Sequence, residues 1–489
     1  LQAKQMGLQT VTLSGFGSDN SLRKLGDVEL WADSSEYNVV EMSHHIWLVS
    51  IVDYVIEANK KDGHGVDWPI RYKDISPWYD KVEEFIGVSG ENLGLKQLPD
   101  QKLLKPMNLN CVEELLKTKI ADNFDDGRLL TIGRTAHITE GTKPGMGRST
   151  CQYRNRCARG CPFGAYFSSV SATLPVARDT GNLTIRANSI VSEIIYDKHS
   201  KKASSVKIID TETKEEIEIF ARIIFCNAST VGTTAILLNS RSESFPNGLG
   251  NRSGELGHNM MDHHYGMGAF GKVPGFEDTY YKGRKPVGFY IPRFRNINKN
   301  TKNEAYLRGF GYQGEISRAK NNPDELYGED LKNAIFKPGA YWLSMAAFGE
   351  ILPNHENKMF LNFDKKDKYG MPTITFDAQL RDNEMKMRQD AVKCAIEMLN
   401  AAGSENIGSY NSETAPGACI HEMGTARMGR DKKTSVLNKW NQMHDVLNVF
   451  VTDGACMTSS GTQNPSITYM ALTARAVDYA DKQIKAGKL

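Results

Sequence analysis

The sequence predicts an α/β protein in which a Rossmann-like, nucleotide-binding type of domain is built from separated segments around an inserted sheet domain. Two segments, 216–240 and 447–480, each contain an apolar strand, a turn of small residues and then a helix. Between them, residues 265–375 carry aromatic strands of a different character. We therefore expect one discontinuous domain interrupted by a second domain.

The other elements follow from hydrophobic spacing and turn signals. Residues 2–14 indicate a helix end, a glycine turn at Gly7 and a short strand, whereas residues 15–60 show no clear pattern. An amphipathic helix is expected to begin near Ser76 or Pro77, and a long helix over 382–403 is expected to end on a glycine. Strands are expected over 183–197, 202–212, 216–229, 287–294, 306–316 and 340–351, with a helix over 231–240.

Composition excludes two classes of protein. The 60 basic and 58 acidic side chains leave a net charge of +2, so there is no footprint of nucleic-acid binding. The most apolar run, residues 340–352, is shorter than the roughly 18 residues needed to span a bilayer, so no direct membrane span is expected.

A histidine and an asparagine near the C-terminus are the strongest candidates for chemistry. His421 precedes a turn of small residues that would let the backbone approach a ring, and Asn464 lies directly before Pro465 at a predicted helix start. A histidine titrates near working pH and can take the proton of an alcohol while a flavin takes the hydride. For each residue alone, a hydrogen-bonded core histidine and a helix N-cap remain open alternatives.

Asp453 and Gly454 follow the apolar run 446–452, so the glycine is expected to end a strand. The helix that follows would offer free amide donors to a pyrophosphate or a flavin carbonyl. A simple Asp-Gly turn is the alternative.

Three cysteines form a second constellation, with the spacing C-x5-C-x3-C and a proline directly after the last. Cys151, Cys157 and Cys161 lie within eleven residues and match neither paired zinc knuckles nor a CxxC redox site. Three cysteine ligands favour a three-iron cluster. The alternatives are that the thiols are buried and reduced, or that they bind a zinc ion together with a residue from elsewhere in the chain. Residues 257–264 hold three histidines and an aspartate, but a turn packed near a cofactor is favoured there over a metal site.

The C-terminal pattern resembles the glucose-methanol-choline (GMC) family of FAD-dependent oxidoreductases over residues 66–489. The resemblance implies an FAD-binding Rossmann-like domain with an inserted α+β substrate domain built on an antiparallel sheet. It implies that His421 and Asn464 are catalytic. It also implies cofactor contacts from Val191, Cys226, Asn227, Ala228, Asp453, Gly454, Ala455 and Pro465.

On this basis the chain divides into five regions. Residues 1–65 are the incomplete N-terminal part of the FAD-binding domain, and 66–180 are a linking region with the cysteines. Residues 181–262 return to the FAD-binding domain, 263–414 form the substrate domain, and 415–489 complete the FAD-binding domain with the catalytic residues.

Within the family, the cysteine run resembles the catalytic subunits of three-subunit sugar dehydrogenases, which hold a 3Fe-4S cluster. The resemblance implies a sugar or glucoside substrate, oxidised at a secondary ring hydroxyl with C3 as the candidate position. Gln313, Trp342 and Glu350 are expected to line the sugar pocket, although core packing explains the aromatic residues of that sheet equally well. A small accessory subunit, a cytochrome c acceptor and a periplasmic location are also expected.

The N-terminal region departs from the family pattern. The GxGxxG turn is expected before Leu1, Ser14 stands where an acidic residue is expected, and the glycine-rich segment expected near 40–55 is absent. Either the sequence is incomplete at its N-terminus or the chain has degenerated. Two further hypotheses therefore stay open: a flavin-less, non-catalytic relative, and a pyranose oxidase-like enzyme that uses oxygen.

Overall fold

The computed structural model describes residues 14–15, 31–32, 53–154, 157, 160–279, 288–318, 326–336 and 339–489. The elements predicted over residues 2–14, apart from Ser14, and most of the segment near 40–55 lie outside the described residues. Among the described residues the helices are α1 (Asp53–Asp62), α2 (Tyr72–Ile86), α3 (Cys111–Asn123), α4 (Thr173–Asp179), α5 (Ser229–Asn239), α6 (Gly328–Phe336), α7 (Asp382–Ala401) and α8 (Ser466–Lys485).

The described strands belong to several separate sheets. In chain order they are β1 (Ser14–Gly15), β2 (Trp31–Ala32), β3 (Thr131–Ile132), β4 (Ser189–Asp197), β5 (Lys202–Asp210), β6 (Glu216–Phe220), β7 (Ile224–Cys226), β8 (His263–Val273), β9 (Phe289–Ile291), β10 (Phe310–Arg318), β11 (Tyr341–Glu350), β12 (Lys358–Lys366), β13 (Pro372–Asp377), β14 (Glu405–Asn411) and β15 (Val449–Val451).

Strands from distant parts of the sequence build the first domain. β7 and β15 pair in parallel, with Cys226 opposite Val451, and β1 pairs with β2 in parallel. β4, β5 and β6 form an antiparallel sheet. The helices α2 and α8 pack together, and the Tyr79 hydroxyl lies 2.6 Å from that of Thr468. The discontinuous assembly predicted from the sequence is confirmed.

The second domain is a six-stranded antiparallel sheet in the order β14-β8-β11-β10-β9-β3. Helix α7 packs on one face, where Met387, Ala391 and Met398 are buried against Met345. Helix α3 packs against α7 through Leu116 and Ile120. Gln313 of β10 lies on the opposite face of the sheet.

The region predicted as a linker over 66–180 contributes to this second domain. It supplies β3, which pairs with β9, and α3, whose apolar face joins the core under the sheet. No local pattern separates these residues from a linker, because their partners lie more than 150 residues later in the chain.

Two predicted bounds differ from the structure for physical reasons. Helix α2 begins at Tyr72 rather than near Pro77, because the Asp74 carboxylate accepts a 2.8 Å hydrogen bond from the Arg71 amide and satisfies the helix start. The strand predicted over 216–229 is two strands, since β6 alternates between exposed and half-buried positions beside β5, whereas β7 is inserted beside β15.

The long helix ends as expected: Gly403 follows α7 in the left-handed region with φ +70°. None of the helices in the described part of the chain is long and apolar enough to cross a membrane.

Candidate active site

The two residues predicted to be catalytic lie side by side. His421 stands in the loop after β14, and Asn464 stands two residues before α8 begins at Ser466. The Asn464 Nδ2 atom lies 3.1 Å from Nε2 of His421, and both side chains are buried. The pair therefore presents a ring nitrogen and an amide group at one point, as binding of an alcohol hydroxyl requires.

Gln313, predicted to contact substrate, lies next to this pair. Its Nε2 donates to Oδ1 of Asn464 at 2.5 Å, from the face of β10 opposite α7. Since the Asn464 oxygen accepts this bond, its amino group is left facing His421. The second domain thus contributes directly to the site.

A second histidine lies behind His421. His263, the first residue of β8, places its Nδ1 atom 2.9 Å from Nδ1 of His421, with the two rings nearly perpendicular at 71°. Cys419 Sγ lies 3.6 Å from the same Nδ1 atom. The first domain, through 419–421, and the second, through β8, therefore meet at the imidazole of His421.

A buried carboxylate holds this junction together. Oδ1 of Asp262 accepts backbone amides of His263 at 2.8 Å and His421 at 3.0 Å. Oδ2 accepts those of Gly417 at 2.8 Å and Cys419 at 3.1 Å. The backbones of both histidines are thereby bound to the Asp262 side chain. This shared contact holds the two imidazole rings close to each other.

Burial shifts the pKa values of the titratable groups around His421 and Asn464. It raises the pKa of Asp262 to about 6, against the effect of the four amide hydrogen bonds. It also raises the pKa of Glu422 to about 7, to which the Asp262 charge contributes, and raises the pKa of the Cys419 thiol well above its usual range. Burial lowers the pKa of His264, so this neighbouring ring is neutral.

His263, Cys419 and His421 are also the one group of three metal-ligating side chains in the described residues whose ligand atoms all lie within 4.8 Å of one another. The 2.9 Å separation of the two Nδ1 atoms is that of a hydrogen bond, in which one nitrogen carries a proton. A metal ion would need the lone pairs of both. The short distance between the two Nδ1 atoms therefore favours a hydrogen bond between the rings over an ion held by both nitrogens.

The segments predicted to bind the cofactor converge on the ends of the parallel pair β7 and β15. The Thr452 hydroxyl donates to Oδ1 of Asn227 at 2.6 Å. The Thr233 hydroxyl donates to Oδ2 of Asp453 at 2.5 Å and accepts the Ala228 amide at 3.0 Å. Burial raises the pKa of Asp453 to about 6. Cys226 lies at the end of β7, so the residues predicted there are brought together.

Gly454 begins a 3-10 turn (Gly454–Cys456) that carries Ala455 at its centre. A Cβ at Gly454 would lie 2.4 Å from the Glu422 carbonyl and 2.4 Å from the Thr230 hydroxyl, so protein packing alone requires glycine here. Residues 424–428 run alongside, and the amides of Gly424 and Ala426 donate to the Gly454 and Ala455 carbonyls at 3.0 and 2.8 Å.

Two predicted contacts stand apart from these. Val191 lies in β4, opposite Ile208, and packs into the core of the first domain. Pro465 directly follows Asn464 and accepts the Thr468 amide at 2.9 Å, which starts α8 beside the catalytic pair.

Trp342 and Glu350 do not reach the catalytic pair. Trp342 shares the sheet face of Gln313, but it lies four residues along β11 from the register partner of Gln313, Ala346, a distance of about 14 Å. The Glu350 carboxylate accepts from Arg293 Nη1 at 2.5 Å and lies 3.5 Å from Arg308 Nη1. Glu350 is therefore a buried ion-pair residue, and it is the register partner of His263; its contact with substrate stays a prediction.

The three cysteines predicted as metal ligands are placed near one another. Burial raises the pKa of Cys157 to about 12, and the charges of Cys151 and Cys161 act in the same direction. The Cys151 sulfur accepts the Tyr153 amide at 3.4 Å, and His137 Nε2 lies 3.2 Å from the Cys157 sulfur. They do not form the tight group that a single ion requires, but a multi-iron cluster separates its ligand sulfurs more widely.

Sequence reasoning missed Asp262, His263 and Cys419 as neighbours of the catalytic histidine. The signal was the dense run of histidines over 257–264, but its spacing fits no ligand template. Within this run, His263 contacts His421, which lies 158 positions later in the chain. Only the contacts of Asp262 and His263 with the loop at 419–421 identify the role of this run.

Comparison with known proteins agrees with this geometry. Residues 133–265 match the N-terminal model, and residues 353–473 the C-terminal model, of a family described as GMC oxidoreductase; together the matches span just over half of the chain. The chain belongs to the GMC oxidoreductase family. It is therefore an FAD-dependent oxidoreductase with the GMC fold.

Two curated relatives match most of this GMC oxidoreductase. It is 29% identical to 2-methyl-1,2-propanediol dehydrogenase of Mycolicibacterium austroafricanum, over 88% of this chain and 78% of that protein. It is 26% identical to the fructose dehydrogenase large subunit of Gluconobacter japonicus, over 87% of this chain and 76% of that protein. A solved structure of formate oxidase from Aspergillus oryzae shares the fold, with a TM-score of 0.59 at 11% identity over 90% of this chain and 83% of that one.

The described residues fit a flavin. Helix α8 begins beside Asn464, so its amide donors and the positive end of its dipole face the site. The hydroxyl of Tyr469, in the first turn of α8, is buried without a hydrogen-bond partner among the described residues, as expected where a further polar group is to be bound.

Proposed function

We propose that this GMC oxidoreductase is a dehydrogenase that oxidises a secondary hydroxyl of a sugar or glucoside and passes the electrons through an iron–sulfur cluster to a separate acceptor. The buried His421–Asn464 contact of 3.1 Å carries the proposal, because it joins a ring nitrogen and an amide at one point next to the start of α8.

The chain's own residues supply the acid–base chemistry. When substrate binds, its hydroxyl takes the place of Asn464 at Nε2 of His421: it donates to Nε2 and accepts from Nδ2 of Asn464. His421 takes the hydroxyl proton as the carbon–oxygen double bond forms. A bound FAD would supply the acceptor for the hydride that leaves the carbinol carbon. Gln313, bonded to Asn464 at 2.5 Å, keeps the amide in the donating orientation.

A polyol or sugar substrate is supported by the names of both curated relatives, one of which acts on a diol and one on fructose. The sheet face that carries Gln313 also carries Trp342 and Phe270, whose rings lie 6.4 Å apart. Aromatic rings suit the apolar faces of pyranoses. We propose C3 of a glucoside as the position oxidised, with Trp342 and Phe270 placed to contact the group that is attached to the oxidised sugar.

Cys151, Cys157 and Cys161 are proposed to hold a 3Fe-4S cluster. The observations that support it are the burial of Cys151 and Cys157, the Tyr153 amide that donates to the Cys151 sulfur, and the buried His137 beside Cys157. Hydrogen bonds to the sulfurs are a normal feature of such clusters. We further propose a small accessory subunit, a cytochrome c acceptor and a periplasmic location.

The first experiment is anaerobic reduction of the flavin in the purified holoenzyme, monitored by absorbance over a panel of free sugars and glucosides. Bleaching by a sugar, with the keto position assigned by NMR, is the expected result. The variant H421A should reduce its flavin about 10²–10⁴-fold more slowly at equal FAD content. A colourless holoprotein preparation, or an unchanged rate in H421A, would contradict the proposal.

The second experiment tests the electron exit. Roughly three iron atoms per chain, with loss of iron in C157S, are expected for a three-iron cluster. Peroxide formation without an added acceptor, in protein that contains no iron, would instead favour an oxygen-using oxidase in which the cysteines are structural.

A further inference from the structure

We propose that His263 is a positioning residue that accepts a hydrogen bond from Nδ1 of His421 and so holds the catalytic ring in the tautomer whose Nε2 is unprotonated and can act as a base. The inference rests on the proposed function of His421 as the base. His263 contacts Nδ1 of the His421 ring, whereas Asn464 contacts Nε2 on the other side of the same ring. The proposal explains what the His263 contact does for catalysis.

The first step concerns the orientation of Asn464. Its Oδ1 accepts from Gln313 at 2.5 Å, so the group facing His421 Nε2 at 3.1 Å is the amino group. An amino group only donates, and Nε2 must therefore accept. In a neutral imidazole the single proton then lies on Nδ1.

The second step concerns the partner of that proton. The Nδ1 atom of His263 is 2.9 Å away, and the ring planes cross at 71°. If His421 donates from Nδ1, His263 accepts with its Nδ1 lone pair and carries its own proton on Nε2. The two histidines thus have fixed and opposite tautomers.

The third step is that the fold enforces this distance. Oδ1 of Asp262 accepts the backbone amides of both His263 and His421, at 2.8 and 3.0 Å. The Asp262 carboxylate also accepts the backbone amides of Gly417 and Cys419. It therefore holds the backbones of His263 and His421 in place. His263 supplies the side-chain acceptor for the ring.

The catalytic consequence follows from the proton balance. When the substrate O–H bond breaks, its proton moves to Nε2 of His421 and the ring becomes an imidazolium that retains its Nδ1 proton. A neutral acceptor at Nδ1 stabilises this cation, and it prevents the ring from presenting a protonated Nε2 to the substrate. An equivalent partner orients and stabilises the histidine of a serine protease triad.

A matched pair of variants tests the proposal. In H263N, the amide oxygen of the shorter side chain reaches the position of the lost Nδ1 atom and can still accept, whereas H263L has similar bulk and no acceptor. We expect H263L to lower kcat by about 10–100-fold with KM unchanged. H263N should stay close to the wild type. Flavin content and thermal unfolding are measured for each variant.

Equal loss of kcat in H263N and H263L would overturn the proposal, as would wild-type kcat in H263L. If H263L does not fold, H263A carries the test: added imidazole should restore its rate of flavin reduction, and a rate unaffected by imidazole counts against the proposal. The variant H421A distinguishes a failure of the proposed base, His421, from a failure of the proposed role of His263. If H421A reduces flavin as fast as the wild type, the proposed base itself is wrong, whatever the His263 variants show.

Discussion

At the scale of single residues, the orientation of the Asn464 amide depends on a residue from the other domain. Gln313 is supplied by β10, donates to Oδ1 of Asn464 at 2.5 Å and is buried. An asparagine amide left without this partner would rotate between two orientations of similar energy. The contact therefore selects the orientation that donates toward substrate.

Replacing Gln313 by leucine tests this selection. We expect Q313L to lower kcat/KM by about tenfold, which corresponds to the loss of one buried hydrogen bond of about 1.4 kcal/mol. The control is W342L, on the same sheet face but about 14 Å further along β11, which should leave the turnover of a monosaccharide unchanged. Steady-state kinetics with one sugar and a dye acceptor distinguishes them. The reverse ranking would indicate that substrate binds around Trp342.

A second residue-scale prediction concerns pH. Burial and the Asp262 charge raise the pKa of Glu422 from 4.5 to about 7 in the folded protein. The folded state therefore binds this proton more tightly than the unfolded state. The stability that the protonated carboxyl contributes is complete below pH 4.5 and is lost as pH rises through 7.

The variant E422Q has no carboxyl group to ionise at this position, so it should not lose stability as the pH rises through 7. We expect its free energy of unfolding to equal that of the wild type near pH 4.5 and to exceed it by about 1–2 kcal/mol at pH 8, a value reduced for the partial exposure of Glu422. Urea unfolding at the two pH values measures the difference. E304Q, at a solvent-exposed position, is the control and should show no pH-dependent gain. A gain of equal size at both pH values would contradict the assignment.

At the scale of elements, helix α3 shows how the linking region is tied to the second domain. The Asn110 side chain accepts the amides of Val112 and Glu113 at 3.1 and 2.9 Å, and the Glu113 carboxylate accepts the Asn110 amide at 2.8 Å. This capping box satisfies donors that are buried under the sheet. The helix then buries Leu116 and Ile120 against α7.

The cap carries a prediction. N110A should lower the free energy of unfolding by about 1–2 kcal/mol, because two buried amides lose their acceptor. N123A, at the exposed C-terminal end of the same helix, removes only a bond to the Lys119 carbonyl and should change stability by less than about 0.5 kcal/mol. Thermal unfolding of the two variants decides between them, and an equal effect would show that the cap does not stabilise α3.

At the scale of the whole molecule, an ion-pair network connects helix α1, the substrate sheet and the C-terminal segment. Arg308 binds Asp62 and lies 3.5 Å from Glu350, and its Nη2 atom donates to Asn59 at 2.6 Å. Asn59 in turn donates to the Thr458 carbonyl at 2.9 Å. These partners come from three distant parts of the sequence.

Replacing Arg308 by methionine should therefore be severe. R308M leaves buried acidic groups without one of their partners, and we expect a loss of about 3–5 kcal/mol in the free energy of unfolding. The solvent-exposed pair Lys302–Glu304 provides the control, since K302M should cost less than about 0.5 kcal/mol. A comparable loss in both variants, measured by urea unfolding, would argue against a special role for the network.

Much of this molecule was predictable because its signals are local. The strand, turn and helix at 224–239, the helix that begins at Asp382 and the position of Asn464 before Pro465 follow from hydrophobic period and turn chemistry. Substrate residues were less predictable. Gln313, Trp342 and Glu350 all lie on the sheet, but alternation along a strand does not reveal that Glu350 is neutralised by Arg293 or that Trp342 lies far from Asn464.

The sequence by itself determined the discontinuous α/β architecture, the family pattern and the pair His421 and Asn464, because caps, glycine turns and apolar periodicity act over a few neighbouring residues. Only the tertiary structure decided which side chains complete the site. His263 reaches His421 across 158 positions, and Gln313 reaches Asn464 across 151. Such contacts are set by how β8 and β10 pack beside the C-terminal segment, and no spacing along the chain encodes them.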